Sequence, residues 1–541
     1  MSLGLLLKFE RIYMSKGIYM KNKQTQNETI QENRISTEQV QESLVRMFGA
    51  NNVQTGSETQ NHIGLQKTLM ASVKVHDRAM LKACLNFAQQ NSLSVYPISK
   101  GMNIGYGKAT PNTNGQLLLD LSAMNRISSY DSSFSSIEIE PGVSQKDLYL
   151  YLKEQGNIHM ADVTGASPDA SILGNTMESG FGHTPLGDHR KNILNMEVML
   201  PNGEIFNTGS FPSYGPDLSG IFVQANFGIV TKIKIPLFRR PEKVLSYVIK
   251  FKNEQDMYKA LPKLRALRES RVIDSLIHFA NPTRVLMSKQ RFPEHLSPAQ
   301  ILSEKDCLEL LNDSPLKVGF WSGLGGLYGD KDEIKLKKKK LKKQLGKHAQ
   351  IAFFELKQLN FLRKVCHLPI LKDLKLFKNM DLSLKSVIEF SGLLHGIPSS
   401  KASDNILWRE KSMDELGIRW LCPVIPASED QIKIFRQVTK EVFRKYSLEL
   451  PMTLTMINHT QFICILNMNF NKNNPAELTH IDRAYKELYN EYKKLNFKPY
   501  RLGVKDTAED IYDPIKTQIL NEIKKAVDPS NMVAPKRYGI G

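Results

Sequence analysis

Three glycines, Gly101, Gly105 and Gly107, punctuate the run PISKGMNIGYG (97–107), which follows a short apolar stretch, Leu93–Ile98. Glycine lets backbone N–H groups approach an anionic oxygen without side-chain obstruction, so such a loop can form a nest for phosphate. The spacing is not the GxGxxG of a dinucleotide-binding βαβ unit, because Tyr106 and Lys108 stand where that motif wants other residues and no helix clearly follows. Taken alone, the run is explained as well by an ordinary tight loop. A second run, GASPDASILGNTMESGFGHTPLGDH (165–189), shifts the balance. Its Gly165, Gly174, Gly180, Gly182 and Gly187 lie among small and polar residues, so the chain can pack flat against a large planar ligand, with Asn175 and Thr184 offering hydrogen bonds. Two cradling loops in one domain are hard to explain as ordinary turns.

The elements that must position these loops read as α+β. Residues 76–91 carry Met80, Leu81, Cys84, Phe87 and Ala88 at helical spacing. Gln116–Leu121 and Ser136–Glu140 read as strands, Pro141-Gly142 as a turn, and Ser144 with Asp147 as the cap of a helix running through Leu152. Asn195–Leu200 and Glu204–Asn207 form a hairpin about Pro201-Asn202-Gly203, and Gly228–Leu237 is a further strand. There is no regular βαβ repeat and no internal repeat. Composition shifts after Leu237: Arg239, Arg240 and Pro241 mark a boundary, and Leu245–Lys250 opens a second unit.

The whole composition fits this picture. At 541 residues the chain is too long for one simple core, and 41% hydrophobic with 24% charged residues suits a folded, soluble protein. No apolar run approaches the roughly 20 residues needed to span a bilayer. Leu3–Leu7 is interrupted at once by Lys8, Glu10 and Arg11, and lacks the flanks of a signal peptide. Met14 and Met20 leave the start methionine open. The cysteines, Cys84, Cys307, Cys366, Cys422 and Cys464, form no CxxC pair, which points to free buried thiols, no structural metal and a reducing cytoplasm. The net charge of +18 owes much to Lys331–Lys347. Ile334, Leu341 and Leu345 fall on one face there, so the segment reads as a solvated surface helix packed by its apolar residues, or as a docking site for an acidic partner or membrane surface.

The segments PISKGMNIGYG, LLLDLSAMNRI, IEPGVSQKDLYLYL, DASILGNTMESGFGHTPLGDH, FGIVTKIKIPL and the terminal APKRYG occur in an order that resembles the vanillyl-alcohol oxidase/p-cresol methylhydroxylase family, over roughly residues 65–541. The resemblance implies a two-domain flavoprotein: a flexible tail (1–36), a PCMH-type FAD-binding domain (37–240), an α+β cap over the substrate (241–499), and a C-terminal segment (500–541) returning to the first domain. It implies FAD against Pro97, Ser99, Lys100, Gly101, Met102, Asn103, Ile104 and Gly105, against Gly174, Asn175, Gly182, Thr184, Gly187 and Asp188, and against Gly228, Ile229 and Val230. Arg537 resembles the basic residue near flavin N1, although a phosphate- or solvent-facing arginine is the competing reading. In the family a phenolate is held by two tyrosines and an arginine while hydride leaves for flavin N5. Tyr106, Tyr500 and Arg501 match that trio, against the alternative of a domain-border salt bridge for Tyr500-Arg501.

Three departures qualify the resemblance. Ala166 stands near where vanillyl-alcohol-oxidase-type members carry an aspartate. His183 replaces a tyrosine, either as a catalytic base or as a structural hydrogen-bonding group. The segment GIRWLCP (417–423) has neither the histidine nor the tyrosine that links FAD covalently, so non-covalent FAD is expected. Trp420 within it is an aromatic wall for the substrate or part of the cap core. The resulting expectation is oxidation of a 4-substituted phenol, with oxygen or a redox protein as acceptor, no nucleic-acid partner and a homodimer left open. The alternatives are a hydroxy acid, sugar or biosynthetic intermediate as substrate, a basic docking protein, or a flavin-bound chain without catalysis.

Overall fold

The strand Gln66–Lys74 buries Leu69, Ala71 and Val73 at alternate positions and so lays one face on an apolar core. It pairs in parallel with Gln116–Asp120, which pairs in parallel with Val95–Ile98. The helix Arg78–Gln90 connects and covers these strands, burying Leu81, Cys84, Leu85, Phe87 and Ala88. Asp77 starts it, its carboxylate accepting from the Met80 N–H at 2.8 Å. One parallel set is therefore present, although the sequence shows no regular βαβ repeat. This computed structural model describes residues 35–56, 58–209, 215–311, 317–399, 406–506 and 514–541, so nearly all of the expected N-terminal tail lies outside the described residues.

A second, antiparallel sheet follows, ordered Ile205–Asn207, Asn195–Met199, Ile229–Pro236, Ser136–Ile139, Ile127–Asp131. The expected hairpin closes at Gly203, whose φ of +80° suits glycine. Ser144 and Asp147 form the expected capping box, and the helix Gln145–Glu154 starts there. Between the two sheets passes the C-terminal chain. The Val95 N–H donates to Met532 O at 2.9 Å and the Ala534 N–H to Val95 O at 2.7 Å, so Val533 runs parallel beside the strand Val95–Ile98. Buried Lys524 locks this return by pairing with Asp528 at 2.7 Å and donating to Asn226 O and Val533 O.

The third sheet is antiparallel, ordered Gln350–Phe354, Lys243–Phe251, Trp321–Gly329, Ile277–Ala280, Met452–Met456, Gln461–Asn471, Leu416–Leu421. Its faces differ in kind. Tyr247, Ile249, Phe251, Ile277, Phe279, Leu454 and Met456 point to one side and join Leu261, Phe435 and Leu488 of covering helices in the largest core. Val248, Lys250, His278, Ser322, Leu324 and Thr453 point to the other side, into a cavity. The lysine-rich segment forms the helix Lys331–Leu345 and buries Ile334, Leu341 and Leu345, as their spacing indicates.

Gly323 shows how tightly the helix-side face is filled. A Cβ there would approach the Phe279 ring to 2.5 Å. Gly323→Val is expected to destabilise the cap by about 1–3 kcal/mol through overpacking. A thermal unfolding midpoint equal to that of the unaltered chain would contradict this packing.

Candidate active site

The glycines of the first loop let three chain segments meet. Tyr106 sits between Gly105 (φ +78°) and Gly107 (φ +122°), conformations that L side chains rarely adopt. A Cβ at Gly107 would come within 2.5 Å of Val504, and one at Gly105 would overlap the Trp420 indole. The returning chain is zipped between loop and cap: the Tyr500 N–H donates to Cys422 O at 3.1 Å, and the Val504 N–H to Tyr106 O at 3.0 Å. Gln224 fixes the Tyr500 carbonyl at 2.7 Å.

Arg501 is thereby delivered to a seam between two cavities. Its Nε donates to Glu178 O at 2.6 Å and its Nη1 to Asn103 Oδ1 at 3.3 Å. Its Cζ lies 5.3 Å from the ring centroids of both Tyr106 and Tyr500. Burial works against the charge of Arg501, but Tyr500, Tyr106 and Glu178 raise its pKa on balance. Burial also raises the pKa of both phenols, so they stay protonated. The Tyr106 hydroxyl rests on Cys422 Sγ at 3.3 Å.

The first cavity, of about 220 Å³, runs between the two N-terminal sheets. Pro97, Ser99, Lys100, Gly101, Met102, Asn103, Gly174, Asn175, Gly228, Ile229, Val230 and Arg537 line it, with Tyr106 and Arg501 at one end. Gly174 lies in the first turn of the short helix Ile172–Met177, where a side chain would collide with Ser99. Arg537 pairs with Glu178 at 3.0 Å, Tyr538 donates to the same carboxylate at 2.8 Å, and Arg537 Nη1 is buried with no protein partner.

Six residues expected in that wall stand elsewhere, and so does Trp420. Ile104 packs among Ile406, Leu407, Leu416 and Ile418, and Gly105 backs onto Trp420. The Trp420 indole fills that gap rather than walling either cavity. Gly182 and Thr184 serve Asp162: a side chain at Gly182 would overlap its carboxylate, and Thr184 N and Oγ1 both donate to Asp162 Oδ1 at 2.8 Å. Gly187 turns at φ +64° against Leu276, and Asp188 faces Arg190 and Lys191 near the surface. Glycine density reports close approach, and at Gly105, Gly182 and Gly187 that approach is to protein.

The second cavity, of about 460 Å³, lies under the cap sheet and shares Ala166, Asn175 and Arg501 with the first. Tyr500, Phe181, His278 and His183 form a contiguous aromatic wall, with Phe181 5.9 Å from Tyr500 and 6.2 Å from His278. His183 and His278 stack at 4.8 Å. The carbonyl of Val163, 3.1 Å from His183 Nδ1, makes that nitrogen the donor and leaves Nε2 as the acceptor of the neutral ring. Three participants escaped the sequence reading. His278 is one of several polar residues on the cavity face of a strand. Glu178 joins Arg501 to Arg537. His189 bridges Asp162 (3.3 Å) and Asn175 (2.8 Å), fixing the Asn175 amide at the seam.

Comparison with known proteins finds similarity to FAD-linked proteins. Residues 70–209 match the model of an FAD binding domain. The chain is 28% identical over 491 residues to the 4-cresol dehydrogenase [hydroxylating] flavoprotein subunit of Pseudomonas putida, covering 87% of this chain and 88% of that one. It is 26% identical to the 1'-carboxy-chondrochloren decarboxylase of Chondromyces crocatus, covering 85% and 88%. The fold superposes on a substrate-bound p-cresol methylhydroxylase with a TM-score of 0.81 at 25% identity, covering 92% and 96%. It superposes equally, at 21% identity, on 4-ethylphenol oxidase from Gulosibacter chungangensis, covering 94% and 98%. The first cavity fits FAD: Arg537 Nη1 is a buried donor in its wall that finds no acceptor among the described residues.

The histidine pair has a pH signature. Burial first, then the neighbouring His183, pushes His278 well below its ordinary 6.5, and burial lowers His183 too. Both rings are neutral when folded, so their contribution to stability is present above pH 6.5 and lost below it, where the unfolded chain takes up more protons. The thermal midpoint should fall as the pH drops from 6.5 towards about 5, and His278→Gln should flatten that slope. An unchanged slope in the variant would remove His278 as its source.

Proposed function

We propose that this chain, an FAD-linked oxidoreductase of the p-cresol methylhydroxylase type, oxidises a small organic substrate that is a 4-substituted phenol. The observation that carries the reading is the convergence of Arg501 with Tyr500 and Tyr106, each ring 5.3 Å from the guanidinium carbon. FAD, when bound, supplies the hydride acceptor. Ionised phenol pushes electron density towards its para carbon, which eases loss of hydride from the attached carbon. Arg501 stabilises that phenolate by charge, and the protonated hydroxyls of Tyr500 and Tyr106 act as donors to its oxygen. His183, neutral and with Nε2 as its acceptor nitrogen, is the proposed base on the cavity side. Asn175, oriented by His189, presents its amide at the seam, and Arg537 supplies positive charge to the flavin cavity.

The relatives frame the substrate class. The Pseudomonas protein is named for 4-cresol and the Gulosibacter enzyme for 4-ethylphenol, both 4-substituted phenols. Non-covalent FAD is part of the proposal, because residues 417–423 hold neither histidine nor tyrosine and Cys422 lies outside the wall of the first cavity. Oxygen or a redox protein is the proposed acceptor. The free cysteines among the described residues are all buried, which suits a cytoplasmic setting.

Anaerobic addition of a 4-alkylphenol to the yellow holoenzyme should bleach the flavin, and acid precipitation should release the colour into the supernatant. Tyr500→Phe is expected to slow bleaching by about 10²-fold, the scale for one lost oxyanion donor, and Arg501→Met by more. Flavin that stays yellow with every phenol sinks the reading, and bleaching by a 2-hydroxy acid alone would put that alternative in its place.

A further inference from the structure

The second cavity has a basic end that hydride transfer does not use. Register across the cap sheet locates it. Val248, Leu324, His278 and Thr455 form one row of partners, and Lys250, Ser322, Ala280, Thr453 and Ile465 form the next. The second row lies two residues along each strand, about 6.6 Å farther from the histidine pair. Lys250 projects from it into the cavity, on the same face as His278. Opposite, the helix Pro282–Lys289 contributes Arg284, Ser288 and Lys289 to the wall, with Arg284 and Ser288 one turn apart on one helical face.

Arg284 and Lys250 are poorly matched by the protein, whereas Lys289 donates to Ser383 Oγ at 3.2 Å. Arg284 Nη1 is buried and meets no hydrogen-bond partner among the described residues. No ion pair involves Arg284 or Lys250 among the described residues, and Glu389 is the one carboxylate in the described cavity wall. Burial lowers the pKa of Arg284 and Lys250, and it brings Lys289 to about 8 with Lys250 adding to the shift. A guanidinium out of water without a counter-ion is costly, and a carboxylate offers the planar pair of acceptors that its fork matches.

We infer that Arg284, Lys250 and Lys289 form an anion subsite for a carboxylate at the end of the substrate's side chain. The inference rests on the phenol reading for which end of the substrate lies at Arg501. The aromatic wall Tyr500–Phe181–His278 would then run alongside the substrate, from the phenolate end to the basic end. The ligand class is an aryl alkanoate with a 4-hydroxyl, and sulfate or phosphate esters share the charge but not the planar geometry.

The test is a binding titration of the oxidised holoenzyme, read from the flavin absorbance. A 4-hydroxyphenylalkanoate and its methyl ester are compared, and so are the corresponding acid and ester lacking the ring hydroxyl. The acid should bind at least tenfold more tightly than the ester in both pairs. Arg284→Met should collapse that ratio towards one, and Arg284→Lys should restore part of it. A misfolded variant moves both affinities or loses flavin, and does not change the ratio alone. A preference that survives in the dehydroxy pair while no phenol bleaches the flavin would keep the subsite and sink the phenol reading. Equal affinity for acid and ester in the unaltered protein overturns the subsite, and tighter binding of the sulfate or phosphate ester than of the acid overturns its assignment to carboxylate.

Discussion

A guanidinium withdrawn from bulk water is costly unless acceptors surround it, and Arg501 meets that condition at the seam of two cavities. Its partners come from three stretches of chain: Asn103 and Tyr106 from the glycine loop, Glu178 from the second glycine-rich segment, and the adjacent Tyr500. The C-terminal chain can deliver Arg501 there because Gly105 and Gly107 let the loop pass against Trp420 and Val504. Glu178 extends the same constraint to Arg537 and Tyr538, so Arg501 and Arg537 share one carboxylate-bearing residue.

The cap answers a second constraint. An antiparallel sheet with helices on one face ordinarily turns its other face to water. Here that face roofs a cavity, so the polar residues Lys250, His278, Ser322 and Thr453 become cavity-facing groups. Burial follows, and with it the downward shifts of His278, Lys250 and Lys289. One period-two pattern thus supplies both the largest core of the cap and the chemistry of its underside.

Much of this was legible in the sequence. The capping box at Ser144, the hairpin at Gly203 and the buried face of the lysine helix follow from local rules that tertiary context did not override. Residues 97–103 and 174–175 line the first cavity, in keeping with glycines among small residues signalling close approach. Ile104, Gly105, Gly182, Thr184, Gly187 and Asp188 lie outside that wall, since composition does not say whether the approaching surface is ligand or protein. His278 and Glu178 were invisible for a related reason. A polar residue on a strand or in a loop reads as solvent-facing until a second layer is laid over it. Trp420 marks the same limit, because its place was set by a gap at Gly105 more than 300 residues away.

The central claim is that Arg501, Tyr500 and Tyr106 hold a phenol as its anion. The most direct measurement is the ultraviolet difference spectrum of a 4-alkylphenol bound to the oxidised holoenzyme, taken without oxygen at a pH well below the phenol's own pKa. The expected result is the phenolate band, lost in Arg501→Met while flavin is retained. A spectrum of neutral phenol, or no spectral change at saturating phenol, would contradict it.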